Sequence, residues 1–293
     1  MLRKLIKQGS TSLVVSLPIE WVRANQLKVG EEVEINHTDN LINIKTKGEK
    51  RLLKYNLQVD SLDEMSLYIN LLNLYRKGFD EVRIISKSNK IMDYETNRTI
   101  NTFKSIKKWL PRFIGWEIIT QDPITIRDIT GESSEDPEKL LQRVFFLLNS
   151  FVDEEIAAIN DKNQLPDPNE FYMTTFKLIN YAIRTYNKRS QTSYNVILLQ
   201  HLHAISQQLR DTQPYLKSNK NIIVPVLKLL RPTLEQYASG DLSLFIKQHH
   251  IVGLELHQLK VDTNLLRMLL RLHNLLMDVA YTINFLQIKN DQN

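Results

Sequence analysis

The chain has 293 residues, enough for two or three domains of ordinary size, and its 42% hydrophobic and 24% charged residues exclude global disorder. Cysteine is absent, which excludes disulfide frameworks, thiolate metal sites and cysteine nucleophiles and fits a reducing compartment. The net charge is +5 and unevenly placed: Arg3, Lys4, Lys7, Arg23 and Lys28 stand against the single acid Glu20 in the first thirty residues, an excess suited to a polyanionic partner.

Residues 1–7 are basic without a long apolar run, so no signal peptide is expected. No run of ~18 uncharged apolar residues occurs, which predicts no membrane insertion and a cytoplasmic protein. Residues 3–17 read as two short β-type runs around the turn-rich Gln8-Gly9-Ser10-Thr11-Ser12. Pro18 suits a first helical turn, so residues 19–24 read as a short helix. A glycine turn follows at 27–32, then alternating strands at 33–35 and 41–45. So small a β-β-α-β-β unit buries little apolar surface and is expected to complete its core by dimerising.

Residues 48–130 read as an α/β middle domain. The expected elements are a strand at 51–59, then a helix capped by Asp60-Ser61 with Leu62, Met65, Ile69 and Leu72 on its apolar face. A strand at 81–86, a helix near 94–110 and strands near 117–120 and 124–129 complete it. That order suggests a ferredoxin-like or related layer. Residues 131–137 form a polar linker and helix start. Scarce Gly and Pro favour long helices beyond it. One helical face carries Leu140, Val144, Leu147, Leu148 and Phe151; another carries Leu198, Leu202, Ile205 and Leu209. In the last helix Leu265, Leu269, Leu272, Leu276, Val279, Ile283 and Leu286 make a sustained bundle seam. A weak repeat, residues 199–205 against 269–275, suggests an all-α bundle of two three-helix units within 137–290.

Two sets of residues carry a family resemblance. Residues 9–21, with Val15-Ser16-Leu17-Pro18-Ile19-Glu20, and residues 27–35, with Leu27-Lys28-Val29-Gly30-Glu31-Glu32-Val33, resemble the AbrB/SpoVT/MazE family of swapped-hairpin DNA-binding domains. The whole arrangement, including residues 75–84 and 112–119, resembles archaeal phosphate-uptake regulator (PhoU) homologues that carry this module. The resemblance implies a swapped-hairpin domain at 1–47 and a homodimer with interleaved hairpins. It implies DNA as partner through Arg3, Lys4, Lys7, Ser10, Thr11, Ser12 and Arg23, and a PhoU-like helical bundle at 137–290. Hydroxyls stand at Ser10–Ser12 where family members often place an arginine, and hydroxyls add no charge to a phosphate contact.

Lys104, Lys107, Lys108 and Arg112, beside Trp109, form a second basic stripe, read as a solvated helix face or an extension of the DNA footprint. Helical domains of the resembled family often hold metals through carboxylates. Here the matching stretches carry His203 with Gln207 and His273 with Met277, so neither a metal nor any other cofactor is expected. Asp153-Glu154-Glu155 reads as a solvated face. No Walker loop, G-x-G-x-x-G, H-E-x-x-H or nucleophile elbow is present, so no enzyme is expected. Two functions remain. One is a dimeric transcriptional regulator of phosphate uptake whose helical domain senses a signal or a protein partner. The other is an adaptor in which the N-terminal module is only a dimerisation clip and the helices bind a transporter subunit or kinase.

Overall fold

A computed structural model describes residues 3–9, 12–38, 41–46, 52–130, 135–161, 164–189, 193–239, 243–259 and 261–290. The chain divides into two units, Met1–Arg51 and Leu52–Asn293.

The first unit has the expected β-β-α-β-β order. Strands β1 (Ile6–Gln8) and β2 (Ser12–Val14) pair antiparallel, Ile6 opposite Val14 and Gln8 opposite Ser12. Pro18 caps α1 (Ile19–Ala24), its carbonyl accepting from Val22 N at 3.0 Å. Gly30, at φ +92, sits in the turn closed by Glu31 N to Lys28 O, a backbone conformation that glycine adopts without steric cost. Strands β3 (Val33–Thr38) and β4 (Leu41–Thr46) form a second hairpin, Ile35 opposite Ile44. The two hairpins belong to separate two-stranded sheets.

The second unit opens with strand β5 (Lys54–Gln58), helix α2 (Glu64–Arg76) and strand β6 (Glu81–Ile85). Asp63 is the cap of α2, its carboxylate accepting from Ser66 N at 2.6 Å; the expected cap Asp60 instead accepts from Lys87 N. The buried face of α2 is Leu67, Leu71, Leu74 and Tyr75, while Met65 and Ile69 are exposed. Apolar residues lie on both flanks of this helix, so periodicity alone does not choose the inward one.

Residues 94–101 are not helical as expected. They complete a hairpin of β7 (Lys90–Asp93) and β8 (Arg98–Asn101). Asp93 folds the turn by accepting from Glu95 N and the Thr96 hydroxyl, and Asn97 takes φ +52. Asn101 then caps α3 (Thr102–Trp109), which runs into one 3₁₀ turn (Leu110–Arg112). Strands β9 (Trp116–Gln121) and β10 (Ile124–Asp128) close a sheet of order β5-β6-β10-β9. This is α/β but not ferredoxin-like: β5 and β6 are parallel and directly bonded, whereas a split βαβ unit places another strand between them. The core of this part joins Leu67, Leu71, Val82, Ile106 and Ile126 to the rings of Tyr75, Trp109, Phe113 and Trp116.

Among the described residues seven helices follow: α4 (Pro137–Asn160), α5 (Pro168–Lys188), α6 (Ser193–Leu216), α7 (Lys220–Leu227), α8 (Leu230–Ser239), α9 (Ser243–Gln258) and α10 (Thr263–Asn290). Asp136 and Asp167 cap α4 and α5, each followed by a proline that suits the first turn. The second group holds four helices rather than three. Pro232, lacking an N–H, fits the first turn of α8 but not the interior of one continuous helix. The apolar faces expected for α6 and α10 are buried along their length, and that of α4 is buried except for the partly covered Leu147.

Candidate nucleic-acid interface

Of the seven residues expected at a DNA interface, Arg3, Lys4, Lys7, Ser12 and Arg23 are described and all are exposed. Ser10 and Thr11 lie outside the described residues. Lys7 is on β1 opposite Leu13, and Ser12 opens β2, so both belong to the first hairpin. Arg23 is in the last turn of α1, where a cation meets the negative end of the helix dipole.

The second feature of this unit is apolar. None of its residues whose side chains are described is buried. Leu5, Ile6, Leu13, Ile19, Ile35 and Ile42 are among its exposed side chains, and the cross-strand register puts Val33, Ile35, Ile42 and Ile44 on one face of the second hairpin. Burying such a side chain stabilises by roughly 1.5–3 kcal/mol, so six of them leave on the order of 10 kcal/mol unrealised in one chain. Isolated two-stranded hairpins are marginal in water.

The second basic stripe lies in the other unit. Lys104, Lys107 and Lys108 are exposed. Lys108 pairs with Glu64 at 3.0 Å and lies over Trp109, while Arg112 stacks on Trp109 and Tyr68 at 4.4 and 5.4 Å. Part of this stripe is therefore engaged within the fold.

Sequence reading missed the polar groups at the junction of sheet and helices. Arg184 on α5 donates to Tyr75 O at 2.9 Å and to Asp128 Oδ2 at 2.6 Å, and Lys188 reaches Asp80 at 2.7 Å and Asp128 at 2.9 Å. Burial pushes the Asp128 carboxyl up, but the Thr130 hydroxyl, Arg184 and Lys188 outweigh it and hold the group down at about 2. Glu138 of α4 accepts from the hydroxyls of Tyr186 and Tyr237 and from Asn195. These partners are far apart in sequence, so no local spacing announces them.

Glu155 corrects another expectation. It is 1% exposed rather than solvated, and burial pushes its carboxyl up to about 8 despite a hydrogen bond from Gln213. Three adjacent acids diverge around a helix, and the third turns inward beside Phe151 and Val152 on the buried face of α4.

The histidines are likewise dispersed. His203 lies on α6 against the rings of Tyr172 and Phe176. His273 stacks on His249 at 3.5 Å, each ring Nε2 lying 3.0 Å from the other residue's carbonyl oxygen. Among the described residues no group of three or more His, Asp or Glu is arranged to hold a metal ion. Among them, too, no helix is long and apolar enough to cross a membrane.

Residues 6–51 match the family model described as antidote-toxin recognition MazE, bacterial antitoxin. A search of curated proteins found no match, and a search of solved structures found none. The family match thus covers the first unit almost completely and stops where the second begins.

Proposed function

We propose that this chain is a dimeric DNA-binding transcriptional regulator, without catalytic activity of its own. Two copies of the first unit interleave their hairpins, bury the faces of Ile35, Ile42 and Leu13, and present Arg3, Lys4, Lys7, Ser10, Thr11, Ser12 and Arg23 to phosphates. The carrying observation is that the stretch matching the MazE family model also leaves apolar side chains of both hairpins, Leu13, Ile35 and Ile42, and the basic Lys7 and Arg23 exposed in a single chain. The second unit acts as sensor or partner-binding module, and the resemblance of the whole arrangement to phosphate-uptake regulators supports a signal in phosphate uptake. The matched description also raises toxin recognition. Residues 52–293 fold around two cores of their own, which favours a sensing module over a simple toxin-binding tail.

The test is a gel-shift titration over salt. Several phosphate contacts require affinity to fall steeply with salt, and each contact removed flattens the slope by about one unit in log–log form. Lys7→Ala with Arg23→Ala is expected to flatten it and weaken binding on all sequences alike. Absence of a shift on any duplex at low salt sinks the DNA reading. The hydroxyls at Ser10, Thr11 and Ser12 favour the second reading, an adaptor whose N-terminal unit only dimerises. In that case dimers persist without a shift, and the helical unit captures a transporter subunit or kinase.

A further inference from the structure

Arg76 and Arg184 lie on two helices that pack together, α2 and α5, but are satisfied very differently. The Arg184 guanidinium has Tyr75 O and the Asp128 carboxylate. Arg76 Nε donates to Asn180 Oδ1 at 2.7 Å, and among the described residues no carboxylate pairs with this guanidinium. Its position is fixed. Asn180, wholly buried, donates Nδ2 to Phe176 O at 2.8 Å, which orients its Oδ1, and Asn187 Nδ2 holds Arg76 O at 2.8 Å. A half-buried guanidinium with one side-chain acceptor is short of partners for its remaining donors.

The same shortage appears on α6. The Nδ1 atom of His203 is buried with no hydrogen-bond partner. Its ring centroid is 5.8 Å from that of Tyr172 and 5.3 Å from that of Phe176. Arg210, two turns further along the same face of α6, lies over Tyr172 at 4.3 Å, and Gln207 Nε2 is 3.5 Å from the Tyr172 hydroxyl. Among the described residues, the acid that pairs with Arg210 is Asp211, at 2.8 Å. Burial first, then the charges of Arg76 and Arg210, hold His203 down at about 4. Along one side of α5, the Arg76 guanidinium at Asn180 and the His203 ring at Tyr172 and Phe176 are both short of a hydrogen-bond partner, and Arg210, though paired with Asp211, adds positive charge at Tyr172.

We propose that Arg76, His203 and Arg210, walled by Tyr172 and Phe176, form a binding site for a small oxyanion: a sulfate, phosphate or carboxylate group. The anion supplies the acceptor that the Arg76 guanidinium and the His203 ring lack. Charged hydrogen bonds of this kind are the strong ones. The site belongs wholly to the second unit, so it is read without DNA and stands whether or not the first unit binds DNA.

The test is calorimetric titration of the intact protein with sulfate at constant ionic strength, with phosphate and a dicarboxylate as parallel arms. Sulfate keeps its charge across the neutral and mildly acid range, so any pH dependence belongs to the protein. The expected result is saturable binding that tightens as pH falls, because a bound anion favours the His203 imidazolium. Arg76→Gln should weaken it at least about ten-fold, the scale of a lost charged hydrogen bond. His203→Gln should weaken binding and flatten its pH dependence. Thermal melts show whether each variant folds; if Arg76→Gln does not, Arg210→Gln carries the test. Tighter binding of phosphate or the dicarboxylate than of sulfate supports the site and tells which group it prefers. No saturable binding of any of the three, or binding untouched by both arginine substitutions, overturns the proposal.

Discussion

Arg184 Nη2 meets Asp128 Oδ2 at 2.6 Å with both side chains almost wholly removed from water. Around this contact two cations, Arg184 and Lys188, balance two anions, Asp80 and Asp128. Asp80 also accepts from Leu53 N, and Arg184 lies 4.9 Å over the Tyr75 ring. The group ties the strand ends of the sheet to α5. Desolvating four charges is costly, so their net contribution is small, but the cost of breaking the balance is large.

Arg184→Met is therefore expected to destabilise the second unit by about 3–5 kcal/mol, because Asp128 loses its principal cation while remaining buried. Urea unfolding checks this. The Asp128 carboxyl, held at about 2 against an ordinary 3.8, contributes stability that is present above 3.8 and lost as pH falls through about 2. In Arg184→Met that acid limb should weaken. An unchanged urea midpoint shows that the group is incidental to stability.

Glu155 has the opposite sign. Its carboxyl is raised from 4.5 to about 8 by burial, so the folded chain holds a proton that the unfolded chain has released. Stability then falls as pH rises from about 4.5 to about 8, by an amount on the order of a few kcal/mol. Glu155→Gln keeps the shape and removes the titration. The variant should match the parent near the lower pH and exceed it near the upper one, as measured by denaturant midpoints. Parallel pH profiles for the two proteins would refute a buried protonated carboxyl.

Ile35→Glu and Leu13→Glu each place a charge on an apolar hairpin face that is open in one chain. If two chains close over these faces, either change should turn a dimer into a monomer and remove DNA binding together with it, since the family-matched unit would lose its core. Sedimentation equilibrium reads the first effect. A dimer that survives both changes is held together elsewhere.

The parts of the fold that were legible are those with a local cause. Leu265 to Leu286 buried as their spacing required, because one helix face repeated the same message seven times. Helix α4 starts at the end of the stretch read as linker and helix start, with Asp136 as its cap and Pro137 in its first turn. The hairpin at Lys90–Asn101 was hidden because its turn chemistry rests on Asp93 and Asn97, neither followed by glycine. Glu155 was hidden because acids are ordinarily exposed and only its phase on α4 turns it inward. The Arg76–His203–Arg210 cluster draws on residues more than a hundred positions apart, and pairing at that range is set by the packing of α2 on α5 and α5 on α6, which no sequence window contains. The basic and apolar pattern of the first thirty residues was readable for the opposite reason: all of it is local.

Gly78 offers a test of how tightly that packing is set. It takes φ +88, and a Cβ there would lie 2.8 Å from Lys188 Cγ. The Lys188 stem has little freedom to yield, since its Nζ is bonded to both Asp80 and Asp128. Gly78→Ala should therefore cost about 1–3 kcal/mol, the sum of backbone strain in the left-handed region and displacement of the lysine. The double variant Gly78→Ala, Lys188→Ala separates the two terms. Removing the lysine relieves the clash but leaves the strain, so Gly78→Ala should cost less in the Lys188→Ala background than in the parent. Equal costs in both backgrounds would mean that the clash contributes nothing and that only the backbone conformation calls for glycine.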